Sequence, residues 1–395
     1  MKNQRVAAIV IVFAVFVLSP FTACAARAAP GADATGTVKP ASEGSLTAIV
    51  TAAEKAGFAG VVLAGDRSKI SFEKSVGLAD RSRRTPHSPD MVWRWASISK
   101  QITATIAAQL VSEGKLDLEK PVSAYLNTKE FAGPNAKLIT IRQLLQHTSG
   151  LPNPSDPAPG AAAEAAANSI PPFYLEEVLP ETVNKVSTAG TCSATPKRSP
   201  GEQFEYNNCD YFVLGAVIEK ITGQAMVSVI AERIAKPLNL AKGAIRPANS
   251  KDKYAQPVKG YDGKRLELTF NLATYGAAGA LLGTPRDLFT IDQALLGDAL
   301  MGPEMKKQFW KGEPKLGYAA LGVWSFPASL KGCKTSVDLV ERRGAIGGIQ
   351  VRNFLAPQLG RALIVFTNLG DWDFGEVWQG NGFSYDLLSA AFCSG

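Results

Sequence analysis

Apolar positions along this chain change their spacing several times, and each change marks an element. The run from Val6 to Leu18 contains no polar residue at all. Leu46 to Ala56 repeats at helical spacing and stops at Gly57, which predicts a short amphipathic helix. Gly60-Val-Val-Leu-Ala-Gly65 and Lys69-Ile-Ser-Phe-Glu-Lys-Ser-Val76 read as strands joined by a turn around Asp66-Arg67-Ser68, a hairpin. Helical text then dominates from about 100 to 240. Ile102, Ile106, Ala107, Leu110 and Val111 form one stripe, ended by Glu113-Gly114. A second helix has Thr140 as N-cap, passes through Leu144-Leu145 to His147 and stops at Gly150-Leu-Pro152. Tyr211, Leu214, Ile218 and Ile221 give a third, ending at Gly223, and Met226 to Ile234 a fourth, closed by Pro237. From about residue 255 the texture changes again. Tyr318 to Phe326, Thr335 to Arg343, Ile349 to Leu355 and Arg361 to Thr367 follow at meander spacing, and Phe383 to Phe392 is a closing helix. Ala362-Leu-Ile-Val-Phe366 is apolar throughout, which predicts a central strand.

Strands at both ends with helices between them predict an α+β fold. The N-terminal hairpin and the C-terminal meander can share one antiparallel sheet, flanked by the first and last helices, with an all-helical domain inserted in the middle. The expected boundaries are a sheet subdomain at about 44–95 plus 255–395 and a helical subdomain at about 96–254. Residues 153–170 are low in complexity and read as a mobile surface loop. No internal repeat is present.

The first residues change the expected compartment. Lys2 and Arg5 precede the apolar run, and small residues follow it, so residues 1–28 read as a signal peptide and 29–43 as a linker. A lipoprotein signal ending at Cys24 is the rival reading. No later stretch is apolar enough to span a bilayer, so a periplasmic or secreted protein is expected, without a transmembrane segment in the mature chain. Lys2, Arg5 and Arg27 account for three of the +7 formal charge, and the remainder is spread along the chain. That distribution argues against a nucleic-acid partner. Cys192, Cys209, Cys333 and Cys393 remain after the leader, an even number in an oxidising compartment. The preferred pairing is Cys192–Cys209, closing a short loop, with Cys333–Cys393 tying down the end of the chain.

Candidate chemistry begins at Trp95-Ala-Ser-Ile-Ser-Lys100. Residues three apart on a helix are neighbours, so the Ser97 hydroxyl and the Lys100 amine share a face. A desolvated amine can take the hydroxyl proton, and the helix start offers backbone N–H groups to an oxyanion. Ser99 points elsewhere. Tyr206-Asn207-Asn208 can set a phenol and an amide side by side in a loop before a helix. Arg342-Arg343-Gly344-Ala345 ends a strand. Alternation puts Arg342 and Gly344 on one side and Arg343 on the other, and the Ala345 N–H is a second candidate oxyanion donor. His147 and His87 read as structural, and Trp93 and Trp95 as core more than pocket. With two histidines and no H-E-x-x-H, no metal site is expected, nor any cofactor. No G-x-S-x-G elbow is present.

These motifs, in this order, resemble the serine β-lactamase and penicillin-binding protein superfamily, most closely its class C β-lactamase and esterase branch. Leu116-Asp-Leu-Glu-Lys-Pro-Val122, Ile141-Arg-Gln-Leu-Leu-Gln-His-Thr-Ser-Gly-Leu-Pro152, Pro200-Gly-Glu-Gln-Phe-Glu-Tyr206, Lys236-Pro-Leu-Asn-Leu240 and Gly276-Ala-Ala-Gly279 extend the resemblance over about 45–392. It implies a β-lactamase/transpeptidase-like fold and a serine hydrolase working through an acyl-enzyme on an ester, amide or β-lactam carbonyl. Ser97 would be the nucleophile, Lys100 its partner and Tyr206 the base, although a neutral Lys100 would serve as base equally well. Asn208 would hold a substrate amide, with the Ser97 and Ala345 N–H groups as oxyanion hole. Where that branch carries Lys or His before Thr, Ser or Gly, this chain has Arg342-Arg343. Arginine keeps the charge but not the acid–base chemistry. Its planar fork suits a small-molecule or peptidoglycan-type substrate bearing a carboxylate. The alternative is a penicillin-recognising or peptidoglycan-binding protein that is acylated without useful turnover.

Overall fold

The computed structural model describes residues 43–154, 171–175, 180–249, 252 and 258–393. The expected leader, nearly all of the linker and most of the 153–170 loop lie outside them. Helix α1 (Glu43–Lys55) leads into strands β1 (Gly60–Asp66) and β2 (Ile70–Val76). Four further strands come late: β3 (Trp324–Ala328), β4 (Val337–Ile346), β5 (Ile349–Ala356) and β6 (Arg361–Thr367). They form one antiparallel sheet in the order β3-β4-β5-β6-β1-β2, so the hairpin and the meander do join as expected. β6 is buried along its whole length between β5 and β1, as its unbroken apolar run demands.

Both faces of the sheet are covered. Val62, Ala64, Leu363 and Val365 pack under α1 and the last helix, Phe383–Cys393. Val61, Leu63, Ile364 and Phe366 face the larger core, built around helix α2 (Ile98–Ser112). α2 is buried along nearly its full length, so it is a core helix rather than an amphipathic surface one. Helix α3 (Ile141–Leu145) starts at Thr140, whose side chain accepts from the Gln143 N–H while Gln143 bonds back, a reciprocal cap. Helix α4 (Cys209–Thr222) ends at Gly223, with φ +67°. The disulfides are Cys192–Cys209 and Cys333–Cys393.

Three expectations need correction. The helix from Met226 is regular only to Ile230 and widens through Ala231–Ala235 into a final tight turn at Lys236–Leu238. Helix α5 (Pro285–Leu296) and a short helix at Pro303–Phe309 lie in a stretch for which the spacing predicts no element. The strand expected from Tyr318 begins only at Trp324. Gly317, Tyr318 and Gly322 hold φ of +63°, +64° and +88°, which no strand accommodates.

Candidate active site

Ser97 stands at the N-terminus of α2, half-buried, just after a strained residue. Ala96 has φ +48°, a left-handed conformation costing a residue with a Cβ about 1–3 kcal/mol. Its surroundings hold it there. The Trp95 N–H donates to the Leu281 carbonyl at 2.8 Å and its indole N–H to Gly283 at 3.1 Å. The Ser99 hydroxyl donates to the Ala96 carbonyl at 2.7 Å and accepts from the Leu281 N–H at 3.1 Å. Ser99 is thus a brace for the turn that aims Ser97.

One turn along, Lys100 is fully buried. Its Nζ lies 3.2 Å from Ser97 Oγ, 2.7 Å from Asn208 Oδ1 and 2.8 Å from the Ala278 carbonyl. Burial first, then the nearby Arg342 charge, push the amine well below the usual lysine range, with Asp210 opposing. The Tyr206 hydroxyl reaches Ser97 Oγ at 2.6 Å from the segment before α4. Asn208, the N-cap of α4, donates to the Tyr174 hydroxyl at 2.8 Å. Its amide is therefore engaged inward, with Lys100 and Tyr174.

β4 closes the other side. Gly344 lies so near the turn before α2 that a Cβ on it would stand 2.6 Å from the Trp95 carbonyl oxygen and 3.2 Å from the Ser97 nitrogen. Ile346 and Ile349 flank the two-residue turn at Gly347-Gly348, so ladder alternation points the Ala345 N–H away from β5. β3 pairs with β4 only as far as Glu341, which leaves Ala345 on an open edge and exposed.

Arg342 and Arg343 face opposite sides of the sheet, as alternation requires. Arg343 is ion-paired to Glu341 and Glu376, not simply a surface cation. Arg342 is not placed as expected. It is 2 % exposed. Its Nε donates to the Ser97 carbonyl at 2.9 Å, one terminal nitrogen to the Gly322 carbonyl at 3.2 Å and the other to the Tyr206 hydroxyl at 3.0 Å. Three of its five N–H donors are thus engaged within the protein and the side chain is buried, so this placement lends no support to the expectation that Arg342 grips a substrate carboxylate.

Residues not assigned to the site from the sequence complete the surroundings. Trp324 lies nearly parallel to the Tyr206 ring at 6.4 Å. Behind that ring, His147 packs at 4.5 Å, with its Nδ1 2.9 Å from an Asp210 carboxylate oxygen. The Glu205 N–H donates to the His147 carbonyl at 2.8 Å, tying the histidine to the Tyr206 segment. Burial, then Arg342 and Lys100, hold His147 neutral, far below its usual range. His87 is buried away from this cluster, stacked on Trp93, and both Trp93 and Trp95 are core. The Ile141–Pro152 stretch pointed to His147, but nothing in its periodicity separated it from an ordinary core histidine. Among the described residues no cluster of metal-ligating side chains occurs.

Comparison with known proteins agrees with this architecture. A D-stereospecific amidohydrolase from Streptomyces sp. superposes with a TM-score of 0.69 at 26% identity, over 89% of this chain and 99% of that one. The D-amino acid amidase of Ochrobactrum anthropi SV3 shares the fold, with a TM-score of 0.70 at 21% identity, over 88% and 97% of the two chains. In sequence, PbpX of Bacillus subtilis (strain 168), assigned as a penicillin-binding protein, is 25% identical over 84% of this chain and 76% of its own. Esterase EstB of Burkholderia gladioli is 30% identical over 46% of this chain and 45% of its own. The family model described as Beta-lactamase matches residues 46–379, and the chain belongs to that family.

Proposed function

We propose that this protein is an exported serine hydrolase that forms an acyl-enzyme at Ser97 and releases it to water. The supporting observation is the meeting of two groups on one oxygen: Lys100 Nζ, one turn along the same helix, lies 3.2 Å and the Tyr206 hydroxyl, from a separate segment, 2.6 Å from Ser97 Oγ. Two of the three polar partners of Lys100, Asn208 Oδ1 and the Ala278 carbonyl, can only accept. A neutral amine gives its two hydrogens to them and turns its lone pair to Ser97, and its depressed pKa favours that form.

Lys100 then takes the Ser97 proton as Oγ bonds to the carbonyl carbon. The Ser97 and Ala345 N–H groups receive the oxyanion. The Tyr206 hydroxyl, held by Arg342, hands a proton to the departing alcohol or amine, and water follows the reverse path. Esters and amides are the proposed substrates, in keeping with the esterase and amidase relatives. The paired cysteines suit an oxidising compartment, which supports export.

Intact-mass analysis over time with a nitrophenyl ester, a D-Ala-D-Ala peptide and a β-lactam is the test. A transient adduct with multiple turnovers is expected for at least one substrate, and none in Ser97→Ala. Adduct formation in Ser97→Ala would refute the role of Ser97. A permanent adduct with every substrate would replace hydrolysis by recognition without turnover.

A further inference from the structure

We infer that the site is built for uncharged substrates, esters or amides with an apolar or aromatic group and no carboxylate beside the reacting bond; this rests on acylation at Ser97. A carboxylate stripped of water needs a charged or multiply donating partner. The cations that the site-forming segments carry are already committed. Lys100 is buried against acceptors, and Arg342 gives donors to the Ser97 carbonyl, the Gly322 carbonyl and the Tyr206 hydroxyl. Arg343 is held by two carboxylates, with contacts of 2.5 and 3.2 Å to Glu341 and 2.9 and 2.7 Å to Glu376. Arg94, 3 % exposed, is bound by Glu267 and the Ile346 carbonyl at the end of β4. Arg198, near the Tyr206 segment, pairs with Glu205. Among the described residues, Arg94, Arg198 and Arg343 are thus each paired with a carboxylate, and Arg342, whose acceptors are uncharged, is buried.

Aromatic rings lie beside the catalytic groups. Trp324 lies along Tyr206 on one side. On the other, Tyr275 stacks on Tyr174 at 4.1 Å, and Tyr174 carries the Asn208 amide on its hydroxyl. In the same two stretches of chain, Leu175 and Leu268 are exposed at 45 % and 60 %. Such surfaces bind flat or aliphatic groups through area and ring contacts, not through charge.

The test compares phenyl phenylacetate with 3-carboxyphenyl phenylacetate on the full chain, after correction for leaving-group acidity. The neutral ester is expected to have a kcat/KM at least about tenfold higher. Arg342→Ala should lower both by the same factor, since Arg342 acts on Ser97 and Tyr206. Trp324→Ala should raise KM for both without changing their ratio. Equal or faster hydrolysis of the carboxylated ester by the wild type overturns the inference, as does an Arg342→Ala loss confined to that ester. Should Arg342→Ala not fold, the wild-type ratio alone decides. Failure of the underlying chemistry is separable. A fluorophosphonate that labels Ser97→Ala as well as wild type removes the serine mechanism whatever the ester ratio.

Discussion

Gly344 is the position where a single methyl group should separate catalysis from folding. A Cβ there would stand 2.6 Å from the Trp95 carbonyl oxygen, whereas ordinary contact begins at 3.4 Å. The shortfall is about 0.8 Å, and neither partner is a flexible side-chain end, so backbone must move. The two backbones concerned carry the Ser97 and Ala345 N–H groups, whose spacing defines the proposed oxyanion pocket. A misplacement of roughly that size costs about 10²-fold in kcat, while overpacking at one position destabilises by about 1–3 kcal/mol. Gly344→Ala should therefore lower kcat for a neutral nitrophenyl ester about a hundredfold, with KM changed by less than about threefold. Calorimetry should find it folded, with Tm lower by only about 1–4 °C. Gly302→Ala is the control, since nothing lies within 4 Å of a Cβ at that site. A Gly344→Ala enzyme with kcat within about threefold of wild type would show that this spacing is not what the reaction uses.

Three further outcomes follow from the buried charges. With Lys100 held well below its usual range, kcat/KM should fall as pH drops through the folded-state value and the amine protonates; Lys100→Met should lose that acid limb along with about 10²–10⁴ of the rate, and a persisting limb would assign it elsewhere. Asp292, buried and bonded to the Asn353 amide, has its pKa raised by burial from 3.8 to about 8. It holds a proton in the folded state that the unfolded chain has already lost, so its contribution to stability declines as pH rises from about 4 to 8. Asp292→Asn should thus gain Tm over wild type progressively across that range, and a constant difference would contradict the sign. His147→Ala removes the ring packed 4.5 Å behind Tyr206 and should lower kcat about 10–100-fold at nearly unchanged KM for neutral esters, whereas a change in KM alone would count against a positioning role.

Periodicity located most of the scaffold because burial and spacing there have one cause. β6 reads apolar from Ala362 to Phe366 and is covered on both faces; α2 and α4 carry stripes ended by glycine, and Thr140 with Gln143 announces its own cap. α5 was equally legible in principle. Thr284-Pro285 with Asp287 caps a run containing Leu288, Phe289, Ile291, Leu295 and Leu296. Cys192–Cys209 and Cys333–Cys393 were preferred for closing one short loop and one chain end, and both bonds form.

The site itself was legible as a list of residues but not in its depth. Spacing sets Lys100 beside Ser97, and alternation sends Arg342 toward α2, yet neither says what the arginine meets on arrival. What it meets is the Gly322 carbonyl, in the segment 318–323 that was taken for strand. Were that segment extended, its carbonyls would be committed to a ladder at the sheet edge. Gly317 and Tyr318 in left-handed conformations turn it out of the sheet, and Gly322 lies against α2, where a Cβ would come within 2.3 Å of Ala104. The Gly322 carbonyl is thereby available to Arg342, whose other donors reach Ser97 and Tyr206. Both misreadings therefore share a cause. An irregular loop, invisible to periodicity, supplies one of the three acceptors by which Arg342 is held against Ser97 and Tyr206.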